Sequence, residues 1–436
     1  MAGDYTELYV DHGGSDLNGG SSAGVVDYAL AAGAAGATAT DNGADSNIED
    51  LNNGSWAGVT VDMTLCFDTG GAKQVATVTA INVGADPDVI TVSPQVTAAA
   101  QKGCNVGGAF LTINRSAAVN IGELAAATTT AYPPCVNIAA DAAYTEDVEL
   151  QITGTLACPF TWQGYKTVPR DYDTEGAAAR AEVDGDGLSN YTGTWDGNAK
   201  SNIVLRDLYI HGDQAGIEAV HTGNGQYWLL HRVKATAAGA SAQGIQSSGF
   251  AFALHNCWVT QAGGIGIYAG ANNASIVGCR VDATGQSGLF VAGVCTVHGN
   301  VINDAGNAAG EYGIQVGGDN CSITNNVVYN SADSGIFFGD LVGESQGIVT
   351  NNILEECGQV AGVGYGIEIE AADKYLMWAG YNAYYNNQDG MSLNILEETG
   401  AINNTTGSFF VNAAGNDFRL NDTANQGALA RDAAFP

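Results

Sequence analysis

The chain has 436 residues and carries 46 Asp and Glu against 14 Lys and Arg, for a formal net charge of −32. A surface this acidic repels polyanions, so nucleic acid is not expected as a partner. Hydrophobic residues make up 45% and charged residues 14%, too apolar for a disordered chain, and no run of 18 apolar residues exists, so insertion into a membrane as a helix is not expected.

Residues 1–34 read as an N-terminal lead-in and cap. Met1 to Tyr5 are not basic and precede no apolar run, so no standard export signal is expected. Residues 35–110 read as a small β-rich module. Alternating stretches such as Val59–Phe67, Val75–Ile81 and Val89–Val92 are separated by Gly and Asp turns, the pattern of short antiparallel strands. Residues 107–120 are expected to hold a short helix that covers the first coil of the next region.

Residues 111–375 read as a stack of coils, regular from about residue 135. A hydrophobic column recurs at Leu205, Leu230, Leu254, Ile276, Val297, Ile323 and Val349, in steps of 21 to 26 residues. Three residues on comes a second column: Leu208, Val233, Cys257, Cys279, Asn300, Asn326 and Asn352. Two further on comes a third: Ile210, Ala235, Val259, Val281, Ile302, Val328 and Leu354. A repeat of this size means one supersecondary unit per period, each burying its apolar face on the next. Every repeat also holds a Gly-Ile or Gly-Leu pair: 216–217, 244–245, 266–267, 288–289, 313–314, 335–336 and 366–367. The Asn300, Asn326, Asn352 column is expected to stack as an amide ladder. The longer connections 303–313 and 355–366 must bulge from the coil and are places for function. Residues 376–436 lose the period and are expected to close the far end.

Tyr9-Val10-Asp11 with Gly14-Ser15-Asp16 and Asn18-Gly19-Gly20 resembles the start of right-handed parallel β-helix proteins of the pectate-lyase-like superfamily. Asn352-Ile353-Leu354 and its counterparts match that superfamily's repeats. Phe410-Val411-Asn412 with Asp417-Phe418-Arg419-Leu420 resembles its C-terminal closing segment. The resemblance spans nearly the whole chain and implies an all-β fold: a right-handed parallel β-helix, a solenoid, with a small N-terminal β module and terminal caps. The superfamily includes polysaccharide lyases and hydrolases, adhesins, and phage tailspikes and other virion proteins, so fold alone does not choose a function.

A lyase of this type binds polyanions, which the net charge disfavours, and the paired-Asp pattern of polygalacturonases is absent. Glu218 and Glu368 share an outward column but lie too many coils apart to cooperate at about 4.8 Å per coil. Asp282 and Asp304 follow the third column on neighbouring coils and are the candidate catalytic pair for a polysaccharide lyase or glycoside hydrolase. No cofactor is expected. Calcium is a candidate ligand, with Glu182-Val183-Asp184-Gly185-Asp186-Gly187 the nearest approach to a calcium loop, though Glu stands in its first place. The nine cysteines form no CxxC pair, and Cys257 and Cys279 sit at equivalent places on consecutive coils, as small buried hydrophobes or a bridgeable pair.

The charge pattern says more. Between Ala219 and Val281 there is no Asp or Glu. Outward columns read one residue past the core positions hold Arg206, His231 and His255, then Lys234, Trp258 and Arg280. The column after the Gly-Ile pairs reads Glu218, Gln246, Tyr268, Phe290, Gln315, Phe337 and Glu368. Rows of exposed aromatics suit a protein interface or sugar stacking. The expected binding or interface residues are therefore Arg206, His231, Lys234, His255, Trp258, Tyr268, Arg280, Phe290 and Phe337. The expected function is a non-enzymatic virion surface protein, a capsid decoration or cement protein or a spike. It is expected to self-associate, as a homotrimer, to contact other virion proteins such as the capsid, and to bind surface glycan. The alternatives are a polysaccharide-degrading enzyme and a bacterial adhesin acting outside the cell.

Overall fold

The computed structural model describes residues 134–432, except 152, 158, 166–179, 271, 319, 340–346, 360–363, 371–376, 396–397, 405 and 425. Before residue 134 it describes the strands between Thr6 and Val106, together with residue 61. The helix expected at 107–120 and the motif residues 11–20 lie outside the described residues. The chain divides into two compact units: Met1–Asp184 with Asp196–Tyr209, and Gly185–Trp195 with Ile210–Pro436. No helix among the described residues is long and apolar enough to cross a membrane.

The first unit holds an antiparallel sheet and the beginning of a parallel one. The antiparallel sheet has seven strands in the order Tyr28–Leu30, Cys104–Val106, Thr64–Asp68, Lys73–Asn82, Asp88–Ser93, Ser46–Asp50 and Ala39–Asp41. In the parallel sheet, Thr6–Val10 pairs with Pro134–Ala139, which pairs with Phe160–Tyr165, which pairs with Ile203–Arg206. Leu8, Val136, Trp162 and Leu205 fall in one register column, and the side chains of the last three are fully buried. The leading column therefore begins well before Leu205. Thr6–Val10 supplies the outermost strand of this sheet, so parallel pairing starts there and not near residue 135.

The second unit is a right-handed parallel β-helix built from three sheets. The first sheet runs from Trp228–His231 to Glu398–Thr399 and carries Leu230, Leu254, Ile276, Val297, Ile323 and Val349 in register. The second runs from Lys234–Ala237 to Ile402–Asn404, with Ala235, Val259, Val281, Ile302, Val328 and Leu354 inward. The third runs from Glu218–His221 to Gly390–Leu393, with Val220, Ile245, Ile267, Leu289, Ile314, Ile336 and Ile367 inward. From Ile245 onward, the residue before each inward position is a glycine required by close approach. A Cβ on Gly266 would come 2.4 Å from Val281 Cγ1 and 2.5 Å from the Gly288 carbonyl oxygen, and one on Gly313 would meet Val328 and Gly335 in the same way.

The corner between the first and second sheets explains the asparagines. Asn300, Asn326, Asn352 and Asn382 are buried, and each Nδ2 of the first three donates to the Oδ1 of the next at 2.9, 3.1 and 3.0 Å. Each Oδ1 also accepts from the backbone N–H of the preceding coil, and each Nδ2 from a second proton binds a carbonyl of that coil. The side-chain amide of each ladder asparagine is thus satisfied without water. The residue before each ladder position takes a left-handed backbone, as at Asn256, Gly278, Gly299, Asn325 and Asn351, which Asn and Gly tolerate best. The ladder ends on Glu398, whose carboxylate accepts from Asn382 Nδ2 at 2.9 Å and from the Tyr384 hydroxyl at 2.7 Å. Cys257 and Cys279 take the two ladder places before Asn300 as buried free thiols.

Two expectations need correction. The coils do not stop near residue 375: Met377–Gly380, Ala383–Tyr385, Gly390–Leu393, Glu398–Thr399 and Ile402–Asn404 continue all three sheets. The period is hidden there because the leading position is the small Ala379 and the left-handed corner residue is Tyr381. In addition, Gly216-Ile217 is not a strand start. Gly216 has φ 70° and Ile217 N–H turns back to the Gln214 carbonyl, and Val220 is the register partner of Ile245. His221, not Glu218, therefore begins the outward column of the third sheet, and Glu218 is buried.

The closing segment does not simply end the stack. It forms the antiparallel pair Phe410–Asn412 with Asp417–Leu420, followed by the α-helix Gly427–Asp432. Its apolar side chains pack on the outer face of the second sheet: Phe409, Phe410 and Ala413 are buried with Ala383, beside Val327, Tyr329, Ile353 and Tyr385.

Candidate functional site: the outer face of the third sheet

Two long loops end on tyrosines whose backbone is held by one repeated device. Tyr312 ends the loop 303–313, and its backbone N–H donates to Ser287 Oγ at 3.0 Å. Tyr365 ends the second long loop, and its N–H donates to Ser334 Oγ at 3.0 Å. Each serine in turn hydrogen-bonds an outward side chain one coil on: Ser287 with Gln315 Oε1 at 3.3 Å, and Ser334 with Glu368 Oε2 at 2.6 Å. Both serines are buried, so loop end and outward side chain are tied through one hydroxyl. The first loop is closed by Glu311, which accepts from the N–H groups of Asn307 and Ala308, and by Asp333, which accepts from Gly310 N–H.

The aromatics sit in register and stack. Tyr268 and Phe290 are strand partners with ring centroids 4.9 Å apart and planes within 10°. Tyr312 lies on Phe337 with centroids 4.2 Å apart and planes within 6°. All four are half-buried. Gln246 precedes the first pair in register, Gln315 separates Phe290 from Phe337, and Glu368 follows Phe337. Carboxylates gather at the second pair. Burial raises the Tyr312 hydroxyl to about 12, and the nearby charges of Asp333, Glu368 and Glu370 push it the same way. The face is therefore a row of rings edged by amide and carboxylate groups. Such a surface can hold a flat, hydroxyl-rich ligand through ring contact and hydrogen bonds. The sequence reading named Tyr268, Phe290 and Phe337 but missed Tyr312, Tyr365, Ser287 and Ser334. The signal was present as two Tyr-Gly-Ile segments and the Ser-Gly pairs at 287–288 and 334–335.

The remaining expected residues fall elsewhere. Lys234, Trp258 and Arg280 are successive register partners on the second sheet, with Lys234 Nζ 5.2 Å and Arg280 Cζ 5.8 Å from the Trp258 ring centroid. His231 and His255 are register partners on the first sheet, and both are half-buried. Arg206 belongs to the first unit, in register with Gln163. Trp258 also donates its Nε1–H to Asp282 Oδ2 at 2.7 Å, so this row is a mutually satisfied ladder of cations, ring and carboxylate.

Asp282 and Asp304 lie on neighbouring strands but are not register partners. Asp282 is the register partner of Asn303, and Asp304 lies one residue further on, at a left-handed position with φ 58°. Asp282 is held by Arg280 Nε at 2.5 Å and by a second guanidinium nitrogen at 3.0 Å, as well as by Trp258 and Asn303. Asp304 accepts from Asn330 Nδ2 at 2.8 Å. In the Glu182–Gly187 segment, Asp186 Oδ1 lies 3.3 Å from His211 Nδ1, and Gly187 N–H donates to Asp213.

No family model matches the chain, and no curated protein matches it. Among solved structures it is similar to tailspike protein 2 from Escherichia coli O157:H7 bacteriophage CAB120, at 12% identity over 61% of this chain and 38% of that one, with a TM-score of 0.40. It is also similar to pectate lyase Pel9A, at 16% identity over 72% of this chain and 81% of that one, with a TM-score of 0.40. A third is the catalytic unit of an α-1,3-glucanase from Streptomyces thermodiastaticus, at 12% identity over 88% and 79% of the two chains, with a TM-score of 0.35. The chain spans about two fifths of the tailspike's length. These likenesses are of fold alone and add nothing to the parallel β-helix that the three sheets already show.

Proposed function

We propose that this protein is a surface-displayed glycan-binding β-helix, and that the outer face of the third sheet is its binding face. The observation that carries the reading is the row Tyr268, Phe290, Tyr312 and Phe337, stacked in two parallel pairs with Gln315 and Glu368 fixed beside them. Ring edges and faces offer contact to the C–H side of a sugar, and the amide and carboxylate groups offer hydrogen bonds to its hydroxyls. Outward strand positions from Gln246 to Glu368 hold no Lys or Arg, while Glu368 and Glu370 add negative charge. That balance favours a neutral sugar or an amino sugar over a uronate or sulfated one.

The setting we propose is the virion surface, as a spike or capsid decoration protein, with an extracellular adhesin as the alternative. Self-association, as a homotrimer, and attachment to a capsid belong to the same proposal. The surface to test for self-association is the first-sheet pair Ile348 and Trp378, register partners that are 44% and 47% exposed. A second reading, glycoside hydrolysis, draws on the carboxylates Asp333, Glu368 and Glu370 around Tyr312. A glycan array with the whole chain tests both. Binding that is lost in Phe337→Ala, with no product released, supports recognition alone. Turnover abolished by Glu368→Gln or Glu370→Gln supports the hydrolase. No binding and no turnover on neutral and amino sugars would overturn the reading.

A further inference from the structure

We infer that residues 409–424 and 426–432 form a proton-controlled strap over the second sheet, closed when Glu355 is protonated and loosened when it ionises. The strap is held by hydrogen bonds to Glu355 and by one from Asn303, within an otherwise apolar seam. Phe409 N–H donates to Glu355 Oε2 at 3.1 Å, and Ser408 on the same approach also hydrogen-bonds that carboxyl. Around it, Phe409 lies against Tyr385 at 6.5 Å between centroids, and Phe418 packs edge-on to Tyr329 at 5.8 Å and to Phe410 at 5.3 Å. Asn416 Oδ1 accepts from Asn303 Nδ2 at 2.8 Å, and Arg280 lies over the Phe418 ring. Further along, Leu420, Ala430 and Arg431 stand across a crevice of about 310 Å³ from Asn325, Asn351 and Tyr381, so the seam is incompletely filled. A segment attached by few polar contacts and one open crevice belongs to the low-stability end of a fold.

Glu355 is 1% exposed under this strap. The groups that act on it are Glu356, next to it in the chain, Ser408 on the approach to the strap and the Phe409 amide of the strap; it acts in turn on the Tyr329 hydroxyl and the Cys357 thiol, and Tyr385 is its register partner. None of these is a cation. Burial raises the carboxyl to about 7, Glu356 pushes the same way, and the two strap hydrogen bonds only partly offset them. Once the strap lifts, water reaches Glu355 and its affinity for a proton falls toward the ordinary carboxylate value of 4.5. The closed state therefore binds the proton more tightly. Closure is fully favoured below about 4.5 and weakens as pH rises from there through about 7, by up to about three-hundredfold in the closing equilibrium. Opening would uncover the aromatic second-sheet surface of Tyr329 and Tyr385.

Hydrogen exchange of the full chain, corrected for intrinsic rates and followed by mass spectrometry from about pH 5 to about pH 8, tests the strap directly. Peptides from 409–432 should lose protection by about ten- to a hundredfold as pH rises, while peptides holding Leu254 and Ile276 keep theirs. Glu355→Gln should hold the strap closed across the range. Glu356→Gln, which removes the adjacent like charge but leaves Glu355, should move the midpoint to lower pH and serves if Glu355→Gln does not fold. Strap protection that does not change with pH in the parent chain would overturn the proposal. So would a pH dependence that survives Glu355→Gln, or strap and coils opening together.

Discussion

Tyr312 lies flat on Phe337, with ring centroids 4.2 Å apart, although the two come from a surface loop and a strand of the next coil. The loop tyrosine is placed by its own backbone amide on Ser287, so the ring reaches the face already oriented. We expect Phe337→Ala to cost about 1 kcal/mol of stability from the lost stack and to weaken glycan binding at least about tenfold. Calorimetric titration of the parent and variant with an array-selected glycan measures it; unchanged affinity would remove this pair from the site.

Ser334→Ala should separate positioning from contact. It leaves Tyr365 N–H and Glu368 without their shared hydroxyl but removes no group that a ligand would touch. The expected stability loss is about 1–3 kcal/mol because the serine is buried. Binding should weaken less than in Phe337→Ala. Equal losses in the two variants would mean that the hydroxyl itself contacts the ligand.

The asparagine ladder should be far less tolerant. Asn326→Ala strands Val297 O, Asn300 N–H and both neighbouring amides. We expect a loss of about 3 kcal/mol or more, read as a shift in the denaturant midpoint. Asn325→Gly, one residue earlier at φ 58°, should be nearly neutral, because glycine adopts that backbone without strain. A neutral Asn326→Ala would show that the turn is not held by its amides.

Asp282 is expected to be structural. Asp282→Ala leaves Arg280 and Trp258 Nε1 without their half-buried acceptor and should cost about 2–4 kcal/mol. Glycan binding should be unchanged at a temperature where the variant is folded. A folded Asp282→Ala chain that loses a measurable turnover would restore the catalytic reading.

Glu398 adds a pH dependence at the end of the ladder. Burial raises its carboxyl, while Tyr384 and Asn382 hydrogen bonds pull the other way. A raised carboxyl favours the folded state below the ordinary value and loses that contribution as pH rises through the folded one. Glu398→Gln should therefore flatten the rise in stability that the parent chain shows on mild acidification. Thermal melts across that range check it, and an unchanged slope would assign the effect to other groups.

The repeat was legible because core positions return at nearly constant spacing and because Asn or Gly stands at the left-handed corners. Legibility failed where local chemistry departed from that pattern. Ala379 and Tyr381 hid the last coils, and a turn glycine at 216 imitated a strand start, which put Glu218 into an outward column that His221 occupies. Asp282 faces Asn303 and not Asp304, since a one-residue offset changes both the register partner and the backbone conformation.

Periodic burial is a local property, so the amino-acid order alone determined the all-β coil, the inward columns, the amide ladder and the aromatic row on the third sheet. Contacts between residues far apart in the chain were decided only in three dimensions. Ser287 reaches Tyr312, Ser334 reaches Tyr365, and Glu355 reaches Phe409 across 54 residues. Period measures which residues share a column; it carries no information about which loop folds over which face. That depends on how apolar surface left outside the stack, at Phe409, Phe410 and Phe418, finds other apolar surface to cover.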